Sequence, residues 1–167
     1  MNNSQNQILQ SYKDFWVRYI DVNGRSKRPD FWHPFWINFL ISSVLGAISG
    51  GLLTTIFGIA ILIPAFTVMV RRLHDTNRTM ILAIVSYFSS LITTMAAVMF
   101  ILTVLALASS GNFGLIGVTL MASAFGTFVG GVITLYTLFV LIKPGNKDVN
   151  RYGSDGSCEV IEQIQQL

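Results

Sequence analysis

The chain has 167 residues, of which 52% are hydrophobic and 11% charged, against about 25% charged in an ordinary soluble domain. With a mean hydropathy of +0.59, this argues against a soluble globular protein and for a polytopic membrane protein with almost no extramembrane domain. The net charge of +3 does not signal nucleic-acid binding: a nucleic-acid reader needs an exposed basic face on a folded domain, and membrane topology accounts for the positive charge.

All 11 basic and 8 acidic residues fall in three segments, Met1–Pro34, Arg71–Thr79 and Lys143–Leu167. Between them, Phe35–Val70 and Met80–Ile142 contain no Asp, Glu, Lys, Arg or His. An ionised side chain is costly at the centre of a bilayer, so charge-free apolar runs of this length read as membrane spans.

In chain order, the first element is a short amphipathic helix. Ile8, Tyr12, Phe15, Trp16 and Tyr19 recur at helical spacing, with Lys13, Asp14 and Arg18 off that stripe, the pattern of a helix lying in the membrane interface. No cleavable signal is expected, because residues 1–34 carry acids, bases and aromatics without an apolar core; the first span serves as the uncleaved signal. Gly24 permits a turn, and Pro29 and Asp30 suit the first turn of a helix. Phe31, Trp32, Phe35 and Trp36 then form an aromatic anchor at the headgroups.

Phe35–Val70 as one helix would reach about 54 Å, beyond a hydrocarbon core of about 30 Å. Ser49-Gly50-Gly51 offers a cheap turn, giving spans at Phe35–Ser49 and Leu52–Val70; the alternative is one long helix kinked at Pro64. In Met80–Ile142, the turn-rich Ser109–Gly114 divides span 3 (Met80–Ala108) from span 4 (Leu115–Ile142). Gly46/Gly50 and Gly126/Gly130 have GxxxG spacing, suited to close helix approach within the chain or in a homo-oligomer.

Four spans place both termini and the Arg71–Thr79 loop on one side, and these segments carry five, three and three of the basic residues. The positive-inside rule makes that side cytoplasmic. The expected fold is therefore an all-α membrane protein of four transmembrane helices, with cytoplasmic termini and an N-terminal interfacial helix. Its parts are residues 1–34, a membrane domain 35–142 with a cytoplasmic loop 71–79, and a tail 143–167.

Three polar clusters are candidates for function. Arg25, Lys27 and Arg28 lie at headgroup level, where they can hold lipid phosphates or simply begin a helix. In Arg71-Arg72-Leu73-His74-Asp75-Thr76-Asn77-Arg78, Asp75 pairs on a helix with Arg71 at i,i+4 or Arg72 at i,i+3, bracketing spans 2 and 3. Thr76 or Asn77 can cap span 3. His74 and Asp75 point about 100° apart on a helix and make no catalytic dyad. The third cluster, Lys143 to Gly153, ends span 4 at Pro144 and Gly145. Cys158 is the single cysteine and is expected to be an inert thiol. No metal or cofactor motif, phosphate loop or nucleophile elbow is present. The spans hold no Asp, Glu, Lys, Arg or His, which weakens the case for an ion-coupled transporter.

These three clusters resemble those of the small bacterial inner-membrane proteins known as domain of unknown function 805. The first motif of that family matches Gly24, Arg25, Arg28, Phe31 and Trp32. The second matches Pro64 followed by Arg71, Arg72, Leu73, His74, Asp75, Thr76 and Arg78, and the third Asn150, Tyr152 and Gly153. Asn77 stands where the family commonly has glycine, and Met80-Ile81 replaces a tryptophan-rich start to the next span. The resemblance covers about Tyr12–Gly156 and implies a bacterial inner-membrane location without known catalytic activity.

The expected function is a non-enzymatic module binding anionic membrane lipids, or a membrane partner, through Arg25, Arg28, Arg71, Arg72, His74, Asp75 and Arg78, with Gly24, Trp32, Pro64, Asn150, Tyr152 and Gly153 as framework. The alternatives are a small oligomeric transporter or channel subunit and a lipid-headgroup enzyme using His74.

Overall fold

The computed structural model describes residues 3–110 and 116–153. Most of the turn expected at Ser109–Gly114, and the tail with Cys158, lie outside the described residues. Five helices run in order: α1 Asn3–Val17, α2 Arg28–Ser49, α3 Leu52–Asp75, α4 Ile81–Ser110 and α5 Ile116–Ile142. Among the described residues α2–α5 are the four helices long and apolar enough to cross a membrane. Helices α1–α3 with residues 141–153 belong to one compact unit, and Ile81–Val140 forms another.

In the first unit, α2 begins at Arg28, seven residues before the charge-free stretch. The carboxylate of Asp30 accepts the backbone N–H of Lys27 (3.0 Å), closing the helix start as a capping acid does. Phe31, Trp32, Phe35, Trp36 and Phe39 follow in a chain of ring contacts at 5.2–6.3 Å. The helix ends where expected: Gly50 and Gly51 take φ of +60° and +110°, angles that L-side chains resist, so Phe35–Val70 contains two helices rather than one. Gly46 lets α3 approach: a Cβ there would lie 3.3 Å from Thr54 Oγ1.

Pro64 sits inside α3. A proline has no N–H to give the carbonyl four residues back, which here is that of Ala60. The hydroxyl of Tyr19 donates to Ala60 O instead (2.8 Å). The helix runs on through Arg71–Asp75, and Thr76 and Asn77 close it rather than opening α4, which begins at Ile81, a correction to both caps expected for span 3. Asn77 N–H reaches His74 O (3.0 Å) and Arg78 N–H reaches Leu73 O (2.9 Å), the two bonds of a Schellman ending. Asn77 therefore has φ +58°. A glycine would sit there most easily, and asparagine is among the few side chains that tolerate the angle.

Helix α1 packs on α2 and α3 through Phe15 of the apolar stripe, with Lys13 exposed. Ser11, Asp14 and Phe15 are buried, while Leu9, Val17 and Ile20 are 62%, 62% and 77% exposed. Asp14, off the apolar stripe, nevertheless faces inward, where Arg71, also buried, lies opposite at 3.5 Å.

In the second unit, Gly126 and Gly130 bring α5 against α4. A Cβ on Gly126 would lie 3.5 Å from Ala96, and one on Gly130 would collide with Thr93. Ser86 and Thr137 join the two helices by a hydroxyl pair at 2.7 Å, and Thr93 and Thr94 bond back to their own helix at 2.8 Å, as hydroxyls do in apolar surroundings.

Candidate functional site: a buried arginine clamp and a cationic cavity

The charged end of α3 is the organising centre of the first unit. Arg71, Arg72, Leu73, His74 and Asp75 are all buried. Asp75 Oδ1 accepts Nε and Nη2 of Arg25 at 3.0 and 2.9 Å, and its Oδ2 accepts Arg72 Nη1. The partner of Asp75 at short spacing is thus Arg72, at i,i+3. The bracket joins the segment before α2 to the end of α3 and to the segment after α5.

Both arginines spend their other donors on backbone carbonyls of the C-terminal segment. Arg25 Nη1 donates to Asp148 O (3.0 Å) and Gly153 O (3.4 Å), and Nη2 to Asn146 O. Arg72 donates to Leu141 O (3.1 Å) and Lys143 O. Asn146 N–H returns a bond to Asp75 O (2.9 Å). A planar fork of five N–H groups is suited to such multiple acceptors. Gly145 passes so close that a Cβ would strike the Asp75 carboxylate, so glycine is the residue that fits.

His74 is held on two sides. Its Nδ1 lies 3.3 Å from Gly24 O, and its ring stacks on Tyr152 with centroids 3.7 Å apart and planes within 5°. Asn150 Nδ2 donates to His74 O (2.9 Å), and Tyr152 N–H to Asn150 Oδ1 (2.9 Å). Arg151 lies over the Tyr152 ring at 4.8 Å. Gly24, Arg25, Arg72, His74, Asp75, Asn150, Tyr152 and Gly153 are therefore brought together.

The remaining sequence candidates lie elsewhere. Arg71 points the other way, to Asp14, and its Nε, Nη1 and Nη2 meet no hydrogen-bond acceptor among the described residues. Arg28 and Arg78 are exposed. Trp32 belongs to the aromatic chain of α2, and Pro64 is buried in α3. Burial pushes the Asp14 carboxyl above its ordinary 3.8, against the pull of Arg71 and Arg18; at 3.5 Å the Arg71 attraction does not offset the lost hydration.

Beside the clamp lies an open cavity of about 370 Å³, lined by Lys27, Arg28 and Pro29, by Arg72 and Asp75, and by Pro144–Lys147. Lys147 belongs to the third polar cluster read from sequence but was not named there as a binding residue. The signal was its turn, Lys143-Pro144-Gly145-Asn146-Lys147, which must double back for the Asn146 N–H to reach Asp75.

Four apolar helices of membrane-spanning length, with buried arginines tying one terminal segment to another, define a multi-pass membrane protein built around an intramolecular clamp. The chain belongs to the family described as Protein of unknown function (DUF805), whose model matches residues 19–154. It is 35% identical over 71 residues to the inner membrane protein YhaH of Escherichia coli K12, covering 36% of this chain and 59% of that one. It is 27% identical over 77 residues to the inner membrane protein YhaI of the same strain, covering 42% of this chain and 65% of that one. The match thus spans less than two thirds of either relative. No solved structure matches the chain. The relatives and the four helices place it as a multi-pass inner-membrane protein.

Proposed function

We propose that the chain is a non-enzymatic inner-membrane module that holds an anionic lipid headgroup at the charged end of its first unit. The cavity carries this reading. Four cations, Lys27, Arg28, Arg72 and Lys147, line it against one acid, Asp75, and that acid is already shared by Arg25 and Arg72. A phosphate there meets surplus positive charge and the N-terminal turn of α2, whose dipole favours anions. The positive-inside distribution makes this end cytoplasmic, where anionic lipid is met at the surface.

In this reading Arg25, Arg72, His74 and Asp75 are the frame, while Lys27, Arg28 and Lys147 touch the ligand. The non-enzymatic assignment rests on the same frame: Asp75 is committed to two guanidinium groups and His74 to Gly24 O and Tyr152, which leaves neither poised for proton transfer.

Native mass spectrometry of the full chain from mild detergent tests it, with phosphatidylglycerol or cardiolipin offered beside phosphatidylcholine. Lys27→Gln/Arg28→Gln/Lys147→Gln is expected to lose an anionic-lipid adduct that wild type and Arg78→Gln retain. Equal retention by the triple variant would sink the reading.

A further inference from the structure

We propose that α1 is a wedge set among the acyl chains of one leaflet, the leaflet that holds the charged end of α3, and that its exposed face is covered by lipid. Two independent observations carry this.

The first is polarity. Helix α1 buries Ser11 and Asp14 beside Phe15 and presents Leu9, Trp16 and Val17 outward, with Ile20 exposed just past its end. A helix facing water has the reverse arrangement. The inward polar groups have protein partners: Ser11 donates to Asp30 (3.1 Å) and Asp14 faces Arg71 (3.5 Å). Just past the helix, Arg18 and Asp21 pair at 2.7 Å. Within Leu9–Ile20 the outward face carries one charge, Lys13, on a stem long enough to reach the headgroups.

The second is depth. Tyr19 O accepts the Thr67 hydroxyl (3.2 Å) and the Tyr19 hydroxyl reaches Ala60 O (2.8 Å). Thr67 lies about 6 Å, and Ala60 about 16 Å, along α3 from Arg71 toward the middle of the span. Tyr12 meanwhile reaches Asn38 (3.3 Å), about 15 Å into α2 from its first residue. Helix α1 thus meets Asp30 and Arg71 at the charged end, while Tyr12 and Tyr19 reach from it toward the middle of the spans, so the surroundings of the first turns of α2 and the last turns of α3 also meet Trp16, Val17 and Ile20. Those neighbouring faces are themselves apolar and open, with Trp36, Phe39, Ile59 and Ile63 exposed. The part of the helix over residues 9–17, about 13 Å long, lying in one leaflet adds area there and none opposite, the geometry by which interfacial helices respond to lipid packing.

The test uses the full chain in phospholipid vesicles with Trp32→Phe/Trp36→Phe, leaving Trp16 as the only tryptophan. Lipids brominated near the top of the acyl chain are expected to quench Trp16 several-fold more than aqueous iodide does. Quenching by iodide alone would place the face in water, and quenching by neither would place it against protein, such as a second copy; each overturns the proposal. Ile20→Cys in a Cys158→Ser background gives a second reading that keeps the tryptophans. In membrane fragments open on both sides it should resist a charged maleimide and react after solubilisation in SDS, whereas full labelling in the fragments would overturn the wedge.

Discussion

Arg71 and Arg72 are adjacent in sequence and both fully buried, yet they open onto two differently built regions. Arg72 faces the C-terminal segment, where Asp75, Leu141 O and Lys143 O take its donors. Arg71 faces α1, where Asp14 stands at 3.5 Å and no acceptor comes within hydrogen-bonding geometry among the described residues. A buried guanidinium is costly unless its charge and its N–H groups are both answered. The Arg72 side is therefore a closed network that fixes one arrangement of three segments, whereas the Arg71 side is a loose charge contact under a helix held mainly by other bonds.

The largest expected effect comes from breaking the closed side. Asp75→Asn leaves Arg25 and Arg72 buried without their shared carboxylate and should cost about 3–5 kcal/mol. It would be read as a lower unfolding midpoint in detergent and faster proteolysis within residues 143–153. Unchanged stability would mean the network does not hold the segment. Gly145→Ala attacks the same contact sterically. Its Cβ meets the carboxylate of Asp75, and a clash in a packed site costs about 1–3 kcal/mol, so the same protease sites should open to a lesser degree.

The two sides were unequally legible in the sequence. Charge-free runs set the four spans, and Gly50-Gly51 marked the first turn, because bilayer cost and backbone sterics act locally. The meeting of Arg25, Asp75 and the 146–153 segment is non-local; the family motifs marked its members, but not that the arginines turn inward to carbonyls. Helical spacing allowed both Arg71 and Arg72 to reach Asp75, and only tertiary packing separates them. That Asp14 turns inward was not legible, because its partner Arg71 lies far away in sequence and only tertiary packing brings the two to 3.5 Å. Tyr19 could have been found: a proline inside a span frees the carbonyl four residues back, and a nearby tyrosine is a ready donor.

That bond sharpens the comparison, since it helps hold α1 where the Arg71 contact is loose. Tyr19→Phe should cost about 1 kcal/mol. In a Pro64→Ala background the alanine N–H can serve Ala60 O, so the same substitution should cost clearly less. Equal costs in the two backgrounds, measured as a double-mutant cycle, would show that the hydroxyl does not stand in for the missing helix bond.

The smallest effect is expected at Asp14, and it has a definite sign. Its carboxyl is raised above 3.8 by burial, with Arg71 and Arg18 pulling the other way, so the folded state holds the proton more tightly than the unfolded one. The resulting stability is fully present below the unfolded value and is lost as pH rises through the folded one. Asp14→Asn, which resembles the protonated side chain, should therefore be nearly neutral at pH 7, in contrast to Asp75→Asn. It should also flatten the part of the stability profile that rises as pH falls toward 4. A loss at pH 7 comparable with that of Asp75→Asn would show that Arg71 depends on its carboxylate as strongly as Arg72 does, and the two regions would then be built alike.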